Sequence, residues 1–215
     1  GQDNSSPRTV TLALAGGASR RLEDVLASSF AFEGGAAIRV TAEVGELLAT
    51  SRSYNLTDRG TYGQFIPGAP LAASIGVAEH GRLIQLAHDT GATGGARTNL
   101  GLLNTSAGTI TVRADLYTAA GELLGFQNAT LPASGYTQID RVFQRVTGAS
   151  VRDGYAVVYL TSSSGSFLAY ASVVDNRTGD PVYIPAERLA GNPGAGGQTP
   201  TPTRTPTRTP TPQPG

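Results

Sequence analysis

Four residue types are missing: the 215 residues include no cysteine, methionine, tryptophan or lysine. Without cysteine there is no disulfide framework, no thiolate metal site and no thiol nucleophile. This suits an extracellular protein that relies on its core instead of on covalent staples. Without methionine, Gly1 is not a translation start, so the chain is expected to be processed, truncated or a part. Without lysine, all 16 basic residues are arginine, permanently charged and able to grip carboxylates in two-pronged pairs. They balance 16 acidic residues, which leaves no basic field of the kind that nucleic acid requires. No apolar run approaches the roughly 20 residues of a membrane-spanning helix. No signal peptide is visible, as expected of a secreted chain that has lost one.

What is present divides into a body and a tail. From Gly191 the sequence turns to Gly and then to Thr-Pro alternation, ending at Gly215. Such a stretch buries no apolar face and favours extended polyproline II, a spacer or stalk of secreted proteins. Its threonines, Thr199, Thr201, Thr203, Thr205, Thr207, Thr209 and Thr211, are the better glycosylation candidates. Five Asn-x-Ser/Thr sequons, at Asn4, Asn55, Asn104, Asn128 and Asn176, read as products of turn composition.

The body reads as β. Ile110, Val112, Ala114 and Leu116 alternate with Thr111, Arg113, Asp115 and Tyr117, a period of two with one buried face. Residues 82–87, 98–104, 155–161 and 167–174 are further strands, separated by turn signals at 119–121, 162–165 and 176–181. Residues 21–27 and 139–145 space their apolar residues three and four apart and are expected to be short helices.

Those two helices expose an internal repeat. Leu14 aligns with Leu131, Leu22 with Ile139, Val25 with Val142 and Leu26 with Phe143. Gly35 to Val40 align with Gly154 to Tyr159, Leu48-Ala49 with Leu168-Ala169, Asn55 falls near Asp175, and Ile66-Pro67 align with Ile184-Pro185. One unit spans about 115 residues. Residues 76–190 hold a complete unit. Residues 1–75 hold an incomplete one, because the counterpart of residues 82–126 would have to precede residue 1. Residues 191–215 form the tail. About three strands of the first unit are thus expected to be missing, and unpaired sheet edges recruit other strands. Three outcomes stay open: a separate piece of the same precursor supplies the strands, a neighbouring subunit supplies them, or the first unit folds differently.

The stretch Arg97-Thr-Asn-Leu-Gly-Leu-Leu-Asn104, the hairpin from Tyr117 to Gly125, and the run from Phe167 to Pro181 resemble a tandem repeat of secreted and cell-surface bacterial proteins. Residues 50–67 resemble the same repeat. The resemblance covers nearly all of residues 8–186 and implies two immunoglobulin-like antiparallel β-sandwich units. It brings no defined activity and therefore no catalytic residues.

Chemistry is sparse. The two histidines are His80 and His88. His88 and Asp89 lack a Gly-x-Ser-x-Gly elbow and would point to opposite faces of a strand, so His88 is expected to be a surface residue near a strand end. Asp175, Asn176 and Asp180 cluster oxygen donors around a glycine and form a weak calcium candidate; the same residues suit a tight turn, the favoured reading. Tyr54, Tyr62, Phe65, Tyr136, Tyr155, Tyr159, Tyr170 and Tyr183 either pack across strands or build a sugar-stacking face. No cofactor is implied. The sequence therefore points to a non-enzymatic extracellular structural or adhesive protein that self-associates or binds a cleaved fragment through its first unit. The alternative is a glycan-binding or accessory module of a larger secreted enzyme.

Overall fold

The computed structural model describes residues 4–58, 60–91 and 93–195. The protein is mostly β, and every strand pair is antiparallel. The chain begins with a helix, α1 (Val25–Phe30), then forms β1 (Thr50–Thr57) and β2 (Gly60–Pro67). There follow β3 (Ile75–Gly76), β4 (Glu79–His88), β5 (Ala96–Asn104), β6 (Ile110–Tyr117) and β7 (Leu123–Leu131). The last strands are β8 (Tyr136–Ile139), β9 (Val151–Leu160), β10 (Ser166–Asp175), β11 (Pro181–Pro185) and β12 (Glu187–Ala190). The expected helix at 139–145 is a 3-10 turn, Val142–Arg145. No helix among the described residues is long and apolar enough to cross a membrane.

Ten of these strands build two sheets from residues 75–190. One runs β11-β10-β5-β8, with β3 also on β10; the other runs β12-β4-β9-β6-β7. Period two sends one side chain in two to the space between them. Leu83, Leu86, Ile110, Val112, Leu116 and Val158 of the second sheet meet Leu100, Leu102, Phe167 and Ala171 of the first in one buried cluster. Phe143 of the 3-10 turn plugs the same core and is fully buried.

Two devices fix this stack, one at the end of β5 and one in its middle. Asn104, at the end of β5, is 1% exposed. Its Nδ2 lies 2.8 Å from the carbonyl of Gly108, 3.1 Å from that of Leu131 and 2.8 Å from that of Pro132. Its Oδ1 accepts from the amide of Ser106 at 2.8 Å. One side chain thus satisfies backbone groups from the β5–β6 turn and from the end of β7. Gly101 lies under the Tyr170 ring, where a Cβ would come within 2.0 Å of the ring carbon Cε1.

Residues 4–74 are different. Their only strand pairing among the described residues is the β1–β2 hairpin. Elsewhere the chain is extended, turned or briefly helical, with its apolar residues largely exposed. Yet its backbone carries a pattern that the later residues repeat. Left-handed φ occurs at Gly17 (74°), Asp24 (45°), Gly34 (126°), Gly45 (79°) and Gly60 (124°). These five recur in the same order at Ser134 (50°), Arg141 (49°), Asp153 (53°), Gly165 (103°) and Gly179 (74°), whereas Ala31 (48°) has no counterpart in the later stretch and Gly125 (152°) none in the earlier one. Both members of the second pair precede a Val, Val25 in α1 and Val142 in the 3-10 turn. The turn hydrogen bond from Ala18 to Ala15 (3.0 Å) matches that from Gly135 to Pro132 (2.9 Å). The hairpins match as well: Thr50 faces Pro67 as Tyr170 faces Pro185. Two of the ten residues, Ser134 and Arg141, are neither glycine nor Asp/Asn yet hold a conformation that costs them energy, so the match is more than shared glycine.

Candidate assembly site in the first unit

In residues 75–190 most pairings run through β4, β5 or β6. There β7 pairs with β6, β8 with β5, and β9 with both β4 and β6. The pair β10–β11 alone is independent of β4–β6. The hairpin β1–β2, which the sequence alignment sets opposite β10–β11, is the one pair among the described residues of 4–74. Segments 8–14 and 36–42, which align with β7 and β9, have no strand paired with them among the described residues.

The consequence is an exposed apolar row. Val10 is 46% exposed and Leu12 and Leu14 are each 45%, whereas Leu131, aligned with Leu14, is 0% exposed. Ile38 and Val40 are also exposed. A shallow cleft opens between residues 8–10 and 27–31, where Arg8 Nη1 donates to the Phe30 carbonyl at 2.6 Å. Residues 4–74 touch the sheets at several points: Asn4 N donates to Ala133 O (3.0 Å), Ser172 Oγ donates to Gln64 Oε1 (3.0 Å), Arg188 Nη1 donates to Ala72 O (2.7 Å), and β2 packs against β11.

The aromatic residues do not form one face. Tyr136, Tyr170 and Tyr183 lie on the first sheet, where Tyr170 and Tyr183 stack at 5.3 Å and the Tyr136 and Tyr170 hydroxyls are 2.8 Å apart. On the outer side of the second sheet, Tyr117 stacks on Tyr155 at 4.7 Å and 7°. Arg82 lies over Tyr155, and Arg113 lies 3.9 Å over Phe126. Asp115, only 6% exposed, accepts from Arg113 Nε (2.7 Å) and from the Tyr159 hydroxyl (3.0 Å). Burial first, and then the Asp115 carboxylate, push the Tyr159 hydroxyl up to about 12. Tyr54, Tyr62 and Phe65 belong to the β1–β2 hairpin.

The calcium candidate is taken up by a turn. Asp175 Oδ1 accepts from the amides of Arg177 (2.7 Å) and Thr178 (2.9 Å), which hold its carboxyl below the usual range. Asn176 Oδ1 accepts from Arg97 Nη1 (2.9 Å), and its Nδ2 donates to Gly94 O (3.0 Å). The backbone N–H of Asp180 donates to Thr178 Oγ1 (3.1 Å). Among the described residues no three His, Cys, Asp or Glu side chains gather as a metal site. The tail threonines 199–211 lie outside the described residues.

The expectation for His88 is overturned: it is 2% exposed. The reason is its parity on β4, where it faces the core two residues after Leu86 and pairs with Val151. Its Nδ1 is buried without a hydrogen-bond partner. Burial first, and then the Arg141 cation, lower its pKa below 6.5 against the opposing pull of Asp89. The folded state therefore favours neutral His88, while the unfolded chain takes up a proton as pH falls below about 6.5. Stability from this group is full above that pH and is lost below it. His88→Gln is expected to narrow the melting-temperature difference between pH 8 and pH 5; an unchanged difference contradicts this. His80 is buried too, with Nδ1 bonded to the Gly191 carbonyl at 2.5 Å.

Comparison of the chain with family models, curated proteins and solved structures finds no match.

Proposed function

We infer that this chain is a non-enzymatic extracellular structural or adhesive protein, a subunit of an assembly joined by β-strand complementation. Residues 76–190 are a closed immunoglobulin-like sandwich. Residues 1–75 are the trailing half of a second such sandwich, open to strands from outside. One observation carries this reading: the first half holds the left-handed turns and hairpin register of the second while its Val10–Leu12–Leu14 row stands in solvent. A sequence that keeps these turn positions and this hairpin register for an otherwise unpaired segment is shaped for a partner that pairs it. The Thr-Pro tail then serves as a tether or strut.

Open edges and an exposed apolar row associate. Sedimentation of the purified chain is expected to show association that rises with concentration, and Leu12→Glu, at a 45% exposed position, is expected to abolish it. A wild-type chain that stays monomeric at every concentration contradicts the reading. The glycan-binding alternative draws on the stacked Tyr117–Tyr155 pair of the second sheet; retention on a polysaccharide column, lost in Tyr155→Ala, would favour it.

A further inference from the structure

We propose that the partner closing the first unit is not a second copy of this chain but an additional three-stranded antiparallel segment patterned like residues 79–117. The proposal rests on the complementation reading above and names the element that reading requires.

The second unit supplies the template. Its leading half, β4–β6, contributes Leu83, Leu86, Leu100, Leu102, Ile110, Val112 and Leu116 to the core. Its trailing half, β7–β11, lays strands against every long edge of that leading half: β9 on β4, β10 on β5, β7 and β9 on β6. The other edge of β4 carries β12, and that of β5 carries β8. β12 covers only residues 79–82 of β4 and β8 only 100–103 of β5, but the edges that residues 8–14 and 36–42 would use by alignment, those that β7 and β9 take on β4 and β6, are occupied.

Counting then decides the partner. The described residues hold two trailing halves, 8–67 and 123–185, but one leading half, 79–117. Two copies together hold four trailing halves and two leading ones, and larger homopolymers keep the same ratio. Exchange of β4–β6 between copies closes one unit only by opening another. Copies alone can associate loosely through open edges, but they cannot satisfy them. A leading half from elsewhere restores the balance, and it must present a Leu/Val row inward to cover Leu14, Leu12 and the half-exposed Val25 and Leu26. The resulting burial drives closure.

The test is a graft. A duplicate of residues 75–122 is joined directly before Ser6 of the full chain, so that the natural 118–122 turn leads into the segment that aligns with β7. Hydrogen exchange is expected to slow by orders of magnitude in 8–14 and 36–42, reaching the level of 123–131 and 151–160, and concentration-dependent association is expected to disappear. A control graft with Leu100→Glu and Leu102→Glu in the duplicate is expected to leave 8–14 fast. In a second arm, a tagged 75–122 segment is co-expressed with the unmodified chain and is expected to co-purify and protect the same residues. Fast exchange of 8–14 in both arms overturns the proposal, even if the unmodified chain associates. Full protection of 8–14 in the unmodified chain alone at high concentration also overturns it, because a second copy would then suffice.

Discussion

Leu131→Ala is expected to destabilise the protein by about 2–5 kcal/mol, whereas Leu14→Ala, the aligned change, is expected to stay within about 0.5 kcal/mol. The residues are chemically identical and occupy matched places after which the chain turns through Ser134 or Gly17. They differ in surroundings. Leu131 is 0% exposed and pairs with Ile110 at the end of β7, inside the common core. Its truncation loses the buried methyl groups and leaves a cavity that the stacked sheets cannot fully collapse around. Leu14 is 45% exposed with no strand beside it, so truncation removes little that folding had buried. Denaturant titration of the two single mutants measures the contrast. Similar losses for both would mean that the first unit is already closed.

The second large effect is expected at Asn104. Asn104→Ala removes the donor that faces the carbonyls of Gly108, Leu131 and Pro132, and the acceptor for the Ser106 amide. Each buried polar group left unpaired costs roughly 1–3 kcal/mol. A loss of at least about 2 kcal/mol is therefore expected even if water reaches some of them. Asn104→Asp is expected to be worse than Asn104→Ala, because it sets a carboxylate against three carbonyl oxygens. Chemical denaturation of the three proteins at neutral pH ranks them; Asn104→Asp at wild-type stability contradicts the account. The same geometry excludes glycosylation of the folded protein at this sequon, since the Asn104 amide is sealed and engaged.

Several features of the fold were legible in the residues themselves. The alternation of Ile110, Val112, Ala114 and Leu116 marks β6 and its inward face, and those four side chains are in the core. The strands expected at 98–104 and 167–174 are β5 and β10, which pair along nearly their whole length. Alternation missed that β6 is buried on its second side too, where Asp115 and Tyr117 shelter under a lattice of Arg113, Tyr155 and Tyr159. Such burial arises across three strands and leaves no trace within one. His88 was misjudged for a related reason: the end of a strand looks exposed in sequence, but its parity sets it toward the core.

The sequence aligns Leu14, Val25 and Ile66-Pro67 with Leu131, Val142 and Ile184-Pro185, but the backbone conformation at such places is not legible in it. Ser134, Arg141 and Asp153 give no sign of left-handed conformation on their own. The sign lies in the other copy, where glycine stands opposite Ser134 and Asp153 at positions 17 and 34. Asp24 and Arg141 share no such glycine, and only the coordinates reveal that they turn alike.

Hydrogen exchange of the unmodified chain, diluted until it is monodisperse, tests the open first unit most directly. Amides in residues 8–14 and 36–42 are predicted to exchange nearly as fast as unstructured chain, while 83–86, 100–103 and 156–160 resist until global unfolding. Slow exchange of residues 8–14 in that dilute monomer, matching 123–131, would contradict the claim.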